Sequence, residues 1–149
     1  HRLEAGRPLR LGGLDFPDAD RGLAGHSDGD AALHALTDAL LGAAGQGDIG
    51  TLFPSTDAVW ADADSADLLR RAVDKARGAG WRPEAADLVI GAESPAIAPR
   101  RDEMAARIAG LLGLDVGAVT VRGTTTDGLG FPGGEGIAAW AAVTASRIP

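Results

Sequence analysis

The sequence predicts an α/β (α+β) fold, a layer of helices packed on one β-sheet, and three observations carry that reading. Segments with apolar residues at helical spacing alternate with short apolar runs that read as strands. A chain of 149 residues with 45% apolar content supports one compact domain, residues 1–149, and is too short for two comfortable cores. No internal repeat, low-complexity tract or linker divides it.

Taken in order, residues 9–16 read as two short extended segments about Gly12 and Gly13, a hairpin. After a Gly- and Asp-rich loop, residues 28–44 predict a helix. Ala and Leu dominate it, Leu33, Leu36, Leu40 and Leu41 recur at helical spacing, Ser27 or Asp28 caps its start, and Gly45 and Gly47 stop it. Residues 47–57 have the Gly, Pro, Asp and Ser content of an ordered loop. A second helix is predicted over 65–78, with Leu68, Leu69, Ala72 and Val73 on its apolar side and Gly80 ending it. Residues 86–92 read as a buried strand, followed by a Pro-bounded loop and a helix over 101–112. Residues 118–123 form another strand. A Gly-rich loop spans 128–136, and the apolar segment 137–145 fits either strand or helix.

Composition narrows the function. A net charge of -7 with Lys75 as the only lysine argues against a nucleic-acid surface, which needs clustered basic residues. An acidic protein can still hold an anionic nucleotide where metal ions, backbone N–H groups and helix N-termini supply positive potential. Without cysteine, a transition-metal site must use His and carboxylates, and a thiolate nucleophile is excluded. The longest apolar runs fall far short of a membrane span and no signal-peptide pattern opens the chain, so a soluble, cytoplasmic protein is expected. The chain begins at His1 rather than Met, and further residues are expected before it.

The densest chemistry lies in His26-Ser27-Asp28-Gly29-Asp30 and the helix carrying His34 and Asp38. Positions 30, 34 and 38 are spaced to rise along one helix face, which would flank an imidazole with two carboxylates. Such neighbours favour a metal or fix the ring tautomer; a solvated helix face is the plainer alternative. His1, His26 and His34 are the only histidines. Two histidines with a carboxylate suit zinc and leave a fourth position for a substrate oxygen, although no local zinc signature is present. Ser27 with the first-turn amides offers an anion site, or simple capping. Thr124-Thr125-Thr126-Asp127, at a strand end before a glycine loop, could bind phosphoryl oxygens and a hard cation, or serve only as strand formers. Pro95 and Pro99 bracket a rigid loop whose backbone could read a base edge, or merely connect strand to helix.

Together these stretches resemble the 2-C-methyl-D-erythritol 2,4-cyclodiphosphate synthase family. AGHSDGDAALHALTDALLGAAGQGDIGTLFPSTD, residues 24–57, follows that family's HSDGD-x3-H and GDIG-x-x-FP-x-TD pattern. The loop SPAIAP (94–99), TTTDGLGF (124–131) and GEG (134–136) follow in family order. The resemblance implies a mixed sheet in a homotrimer with sheets facing the three-fold axis and active sites between subunits. It implies Zn2+ at His1 and His34, with a partner aspartate upstream of His1, and a second ion, Mg2+ or Mn2+, at Asp127. His26 and Thr125 match positions that assist the transition state. His26 and Ser27 would contact the sugar alcohol and its phosphate. Asp48, Ile49 and Gly50 would hold the ribose, and Phe53, Pro54, Ser55, Thr56 and Asp57 the loop over the methylerythritol part. Ala92, Ser94, Pro95, Ala96, Ile97 and Ala98 would form the cytosine pocket, while Thr124, Thr126 and Phe131 complete the substrate surface.

The implied reaction closes a ring. The 2-phosphate of a CDP-linked sugar alcohol attacks the β-phosphorus and expels CMP, in the non-mevalonate isoprenoid pathway. Three positions depart from the family: Ala96 stands for a common lysine, Ser55 for a frequent aspartate, and residues 131–136 (FPGGEG) lack an arginine. The competing functions are a metal-dependent phosphoesterase that uses water, and a trimeric binding or scaffold protein without chemistry.

Overall fold

The computed structural model describes residues 1–149. Four short strands come first: β1 (Leu3–Ala5), β2 (Leu9–Leu11), β3 (Leu14–Phe16) and β4 (Arg21–Leu23). β2 and β3 pair antiparallel with Leu11 opposite Leu14, which is the expected hairpin. β1 and β4 pair antiparallel across it, Leu3 facing Leu23. At three residues each, these two strands are too short to show an alternating pattern in the sequence.

Helix α1 (Ala31–Ala43) starts three residues later than expected, and neither Ser27 nor Asp28 caps it. The cap is Asp30, whose carboxylate accepts from the N–H groups of Ala32 and Leu33 and also of Gly12 and Gly13 in the hairpin turn, at 2.7–3.1 Å. One carboxylate thus ties helix to hairpin. Burial pushes the Asp30 carboxyl up to about 6 while these donors pull it down, so it is ionised near pH 7 and acts purely as an acceptor. Gly29 enters the helix at φ +77°, where a Cβ would stand 2.7 Å from the Leu23 carbonyl oxygen. Only glycine fits there.

The 47–57 loop contains one helical turn, α2 (Ile49–Leu52), capped by Asp48. Helices α3 (Ser65–Gly78) and α4 (Arg101–Leu112) match the expected ranges. β5 (Trp81–Gly91) starts five residues earlier than expected because its first half pairs with the last strand, beyond the apolar run that marked it. β6 (Val119–Thr124) follows, and the ambiguous last segment is a strand, β7 (Ala138–Arg147).

The main sheet has the order β6, β5, β7, with β5 parallel to β6 and antiparallel to β7. One face carries Leu88, Ile90, Val119 and Val121 against Leu33, Leu36 and Leu40 of α1, Leu69 and Val73 of α3, and Ile108 and Leu112 of α4, all in one core cluster. Burying each such side chain stabilises by about 1.5–3 kcal/mol before entropy is charged. Gly123 lets β6 approach the loop after β5, since a Cβ there would meet Ile97 Cβ at 2.6 Å. The opposite face presents Val89, Arg122 and Trp140 in register, with Trp140 53% exposed and Phe131, in the preceding loop, 76% exposed.

Candidate functional site

His1 and His34 meet where the N-terminal segment crosses the start of α1. The main-chain nitrogen and oxygen of His1 both bond to Ile137 at 3.0 Å, which fixes the residue against the start of β7. The His1 Nδ1 lies 2.6 Å from the Ala24 carbonyl oxygen, and its Nε2 lies 3.0 Å from His34 Nδ1. The rings are tilted by 57° with centroids 5.0 Å apart. Burial holds the His34 imidazole below its ordinary value, the Asp28 charge partly opposing, which favours the neutral ring that binds metal.

Donor and acceptor chemistry decides which nitrogens carry protons. A carbonyl oxygen only accepts, so His1 Nδ1 is protonated and its Nε2 lone pair points at His34. On the other side, Asp28 accepts from the Ser65 hydroxyl, leaving Ser65 Oγ to accept from His34 Nε2 at 2.9 Å. That turns the His34 Nδ1 lone pair toward His1. With both rings neutral in these tautomers, two lone pairs face each other at 3.0 Å, and either a shared proton or a metal cation must lie between them. Zinc bound to two imidazoles at about 2.0–2.1 Å in tetrahedral geometry holds the nitrogens about 3.3 Å apart, a few tenths of an ångström wider. The pair therefore fits a zinc ion chemically. No group of three His, Asp or Glu that could hold a metal occurs within residues 1–149.

A cavity of about 200 Å³ opens beside His34, lined by His26, Ser27, Ile49, Gly50, Phe53, Ser55, Trp60 and Leu68. His26 Nε2 faces the Asp57 carbonyl oxygen at 3.4 Å, and Ser27 Oγ lies 3.1 Å from His34 Nε2. The floor is built by capping. Asp38 accepts from Ile49 N–H and Asp48 from Thr51 N–H, both at 2.7 Å, so two carboxylates hold the single turn of α2. Phe53 packs edge-on against Trp60, centroids 5.0 Å apart, and Arg71 lies over Trp60.

Elsewhere, Thr124, Thr125 and Asp127 are exposed at the end of β6, with Thr125 Oγ1 3.5 Å from Asp127 Oδ1 and Asp127 at φ +54°. Glu93 accepts from Thr126 N–H at 2.7 Å and Thr126 Oγ1 at 3.0 Å. These bonds hold the Glu93 carboxyl below the usual range. A further cavity of about 290 Å³ is lined by Ser94, Pro95, Ala96, Pro99 and Arg100 with Phe16. Ala92 and Ile97 are buried beneath that loop, while Ser94, Ala96 and Ala98 are exposed.

A family model for the YgbB family matches residues 1–146. The chain belongs to the YgbB family. Among relatives of this YgbB chain, a 2-C-methyl-D-erythritol 2,4-cyclodiphosphate synthase of Salinibacter ruber is 54% identical over 145 residues, covering 97% of this chain and 92% of that protein. A bifunctional IspD/IspF enzyme of Erythrobacter litoralis is 52% identical over 148 residues, which are 99% of this chain and 38% of that longer protein. A solved 2C-methyl-D-erythritol-2,4-cyclodiphosphate synthase in a CDP-bound form superposes with a TM-score of 0.89 at 40% identity, covering 98% of this chain and 95% of that one.

The YgbB fold brings some predicted residues together and separates others. His1 with His34, and His26, Ser27, Ile49, Gly50, Phe53 and Ser55 around one cavity, converge. The two cavities that include His34 contain none of Thr124, Thr125, Thr126 or Asp127. Two expectations need correction. The Asp30 carboxylate turns to backbone N–H groups of the hairpin and the first helical turn and not to the His34 imidazole, whereas Asp38, one oxygen of which accepts from Ile49 N–H, lines a cavity with His1 and His34. The first-turn amides of α1 are likewise no open anion site with Ser27, since Asp30 already occupies them and Ser27 stands before the cap. Sequence reasoning missed Trp60, Leu68, Ser65 and Glu93. Ser65 was read only as the start of a helix, and its partner Asp28 lies 37 residues away.

Proposed function

We infer that this YgbB chain is an enzyme converting 4-diphosphocytidyl-2-C-methyl-D-erythritol 2-phosphate to 2-C-methyl-D-erythritol 2,4-cyclodiphosphate with release of CMP, a step of the non-mevalonate isoprenoid pathway. The observation that carries the chemistry is the convergence of the His1 and His34 lone pairs at 3.0 Å beside a cavity faced by His26 and Ser27. The family match and the names of the relatives supply the substrate.

In this reading His1 and His34 would hold Zn2+, joined by the aspartate expected upstream of His1, and Asp127 would hold Mg2+ or Mn2+. When bound, these cations neutralise phosphoryl charge and orient the reacting phosphates. The protein does the rest by placement. His26 and Ser27 direct hydrogen bonds at the 2-phosphate, and the apolar walls of Phe53, Trp60 and Leu68 exclude water from the sugar alcohol. Loop residues 92–98 receive the cytosine, largely through backbone groups, and Asp48, Ile49 and Gly50 meet the ribose. Thr125, with Thr124 and Thr126, donates hydroxyls to the diphosphate as charge builds on its oxygens. A 2-phosphate oxygen forms a bond to the β-phosphorus, and the bond from that phosphorus to the bridging oxygen breaks, so CMP leaves with the oxygen and the electron pair. No protein nucleophile is needed.

We also infer a homotrimer with each active site shared between copies. Support comes from the outer sheet face, where Trp140 stands exposed in register with Val89 near the Asp87–Arg122 ion pair, from the exposed Phe131 of the preceding loop, and from the division of the required residues among separate cavities of one chain. Incubating the CDP-linked 2-phosphate with the enzyme, zinc and magnesium and analysing the phosphorus products tests the activity. Cyclic diphosphate with equimolar CMP is expected; linear hydrolysed phosphates would replace this reading with that of a phosphoesterase.

A further inference from the structure

We propose that Asp28 and Ser65 form a positioning relay that locks the His34 imidazole with its proton on Nε2, so that Nδ1 is always presented to the cation. This rests on the metal reading above, and it concerns two residues outside the ligand set.

Ser65 is fully buried, at 0% exposure, at the first position of α3. A buried hydroxyl must satisfy both its proton and its lone pairs. The proton goes to Asp28 Oδ1, which accepts it while both Asp28 oxygens also accept from backbone N–H groups. Asp28 is itself held in place from three sides. Its Oδ1 accepts from Asp30 N–H at 3.1 Å, its Oδ2 accepts from Ser65 N–H at 3.0 Å, and Arg10 stands 3.6 Å from Oδ2. With its proton committed, Ser65 Oγ offers only a lone pair to His34 Nε2, 2.9 Å away, so that nitrogen must donate.

The relay ties α3, which also lends Leu68 to the cavity wall, to a histidine pair supplied by the N-terminal segment and α1. Main-chain bonds from Asp28 N–H to Ala63 O, and from Asp62 N–H to His26 O, clamp the start of α3 to the HSDGD turn, so Ser65 cannot drift from the ring. Ser27 Oγ, 3.1 Å from the same nitrogen, can accept the same proton but also has its own proton to donate. It tolerates either tautomer, whereas Ser65 tolerates one. The selection therefore comes from Asp28 acting through Ser65, the arrangement by which a carboxylate beyond a ligating histidine fixes its orientation.

Ser65→Ala tests this, since alanine is smaller and favours the helix. Zinc affinity is measured by chelator competition on the full chain, alongside 1H–15N spectra of histidine-labelled, zinc-loaded protein. The wild type should show a slowly exchanging His34 Nε2 proton. Ser65→Ala, with unchanged helix content, should lose that protection and bind zinc about tenfold or more weakly, and Ser65→Thr, which keeps the hydroxyl, should restore both. Equal affinity and a still protected proton in folded Ser65→Ala would overturn the relay alone. So would a His34 Nδ1 proton in the zinc-loaded wild type, a reading that needs no variant. A wild type that binds no zinc would instead overturn the metal assignment, and the relay with it.

Discussion

Asp30 and His34 sit four residues apart on one helix face, yet the fold gives them unrelated work. Spacing alone places them together; which partner each side chain finds depends on segments far away in sequence. Asp30 meets the hairpin turn at Gly12 and Gly13, and His34 meets His1. Replacing Asp30 with Asn keeps the shape but puts an amide NH2 against backbone N–H groups that need acceptors. Asp30→Asn should cost about 1–3 kcal/mol in urea unfolding at pH 7, and a value near zero would mean those donors find other acceptors. For His34 the expectation is functional. His34→Ala removes one of only two convergent nitrogens, so zinc binding and turnover should both be lost while the thermal melt stays cooperative. Near-normal rates in that variant would remove the metal assignment.

Among the elements, the long helices and the hairpin were legible because each carries its own signal: leucines at helical spacing in α1, Leu68, Leu69, Ala72 and Val73 in α3, paired glycines between β2 and β3. The strand that was left open between two conformations, β7, has no such signal, because alanines fill it and pairing with β5 decides the matter. The turn of α2 was hidden for a related reason: four residues have no visible period, and the carboxylates of Asp38 and Asp48 hold it. Two elements carry predictions. At the entry to α1, Gly29→Ala forces a side chain into left-handed backbone and against the Leu23 carbonyl oxygen, and should destabilise by about 1–3 kcal/mol. At the end of β6, Glu93 anchors the threonine turn by Thr126. Glu93→Ala should raise KM for the CDP-linked substrate without changing the melting temperature, and Glu93→Gln, which keeps one acceptor oxygen, should recover most of the affinity.

At the scale of the whole molecule, the order of motifs in the sequence pointed to the family, while the way the site is divided could not be read from any single stretch. His26 and Ser27 line one cavity, the 94–100 loop another, and Thr125 with Asp127 lies on an exposed turn. A chain whose outer sheet face exposes Trp140 should associate through it. Sedimentation should give three times the 15.0 kDa chain mass, and Trp140→Glu should shift the protein toward monomer and lose activity with it. The central claim is that cations gathered by histidine and carboxylate let two repelling phosphates of one molecule join. The most direct measurement follows phosphorus products of the CDP-linked 2-phosphate by 31P NMR with zinc and magnesium present, then after chelation. A cyclic diphosphate and CMP should appear together, and neither once the metals are stripped. Ring closure that continues unchanged in the chelated protein would contradict that claim.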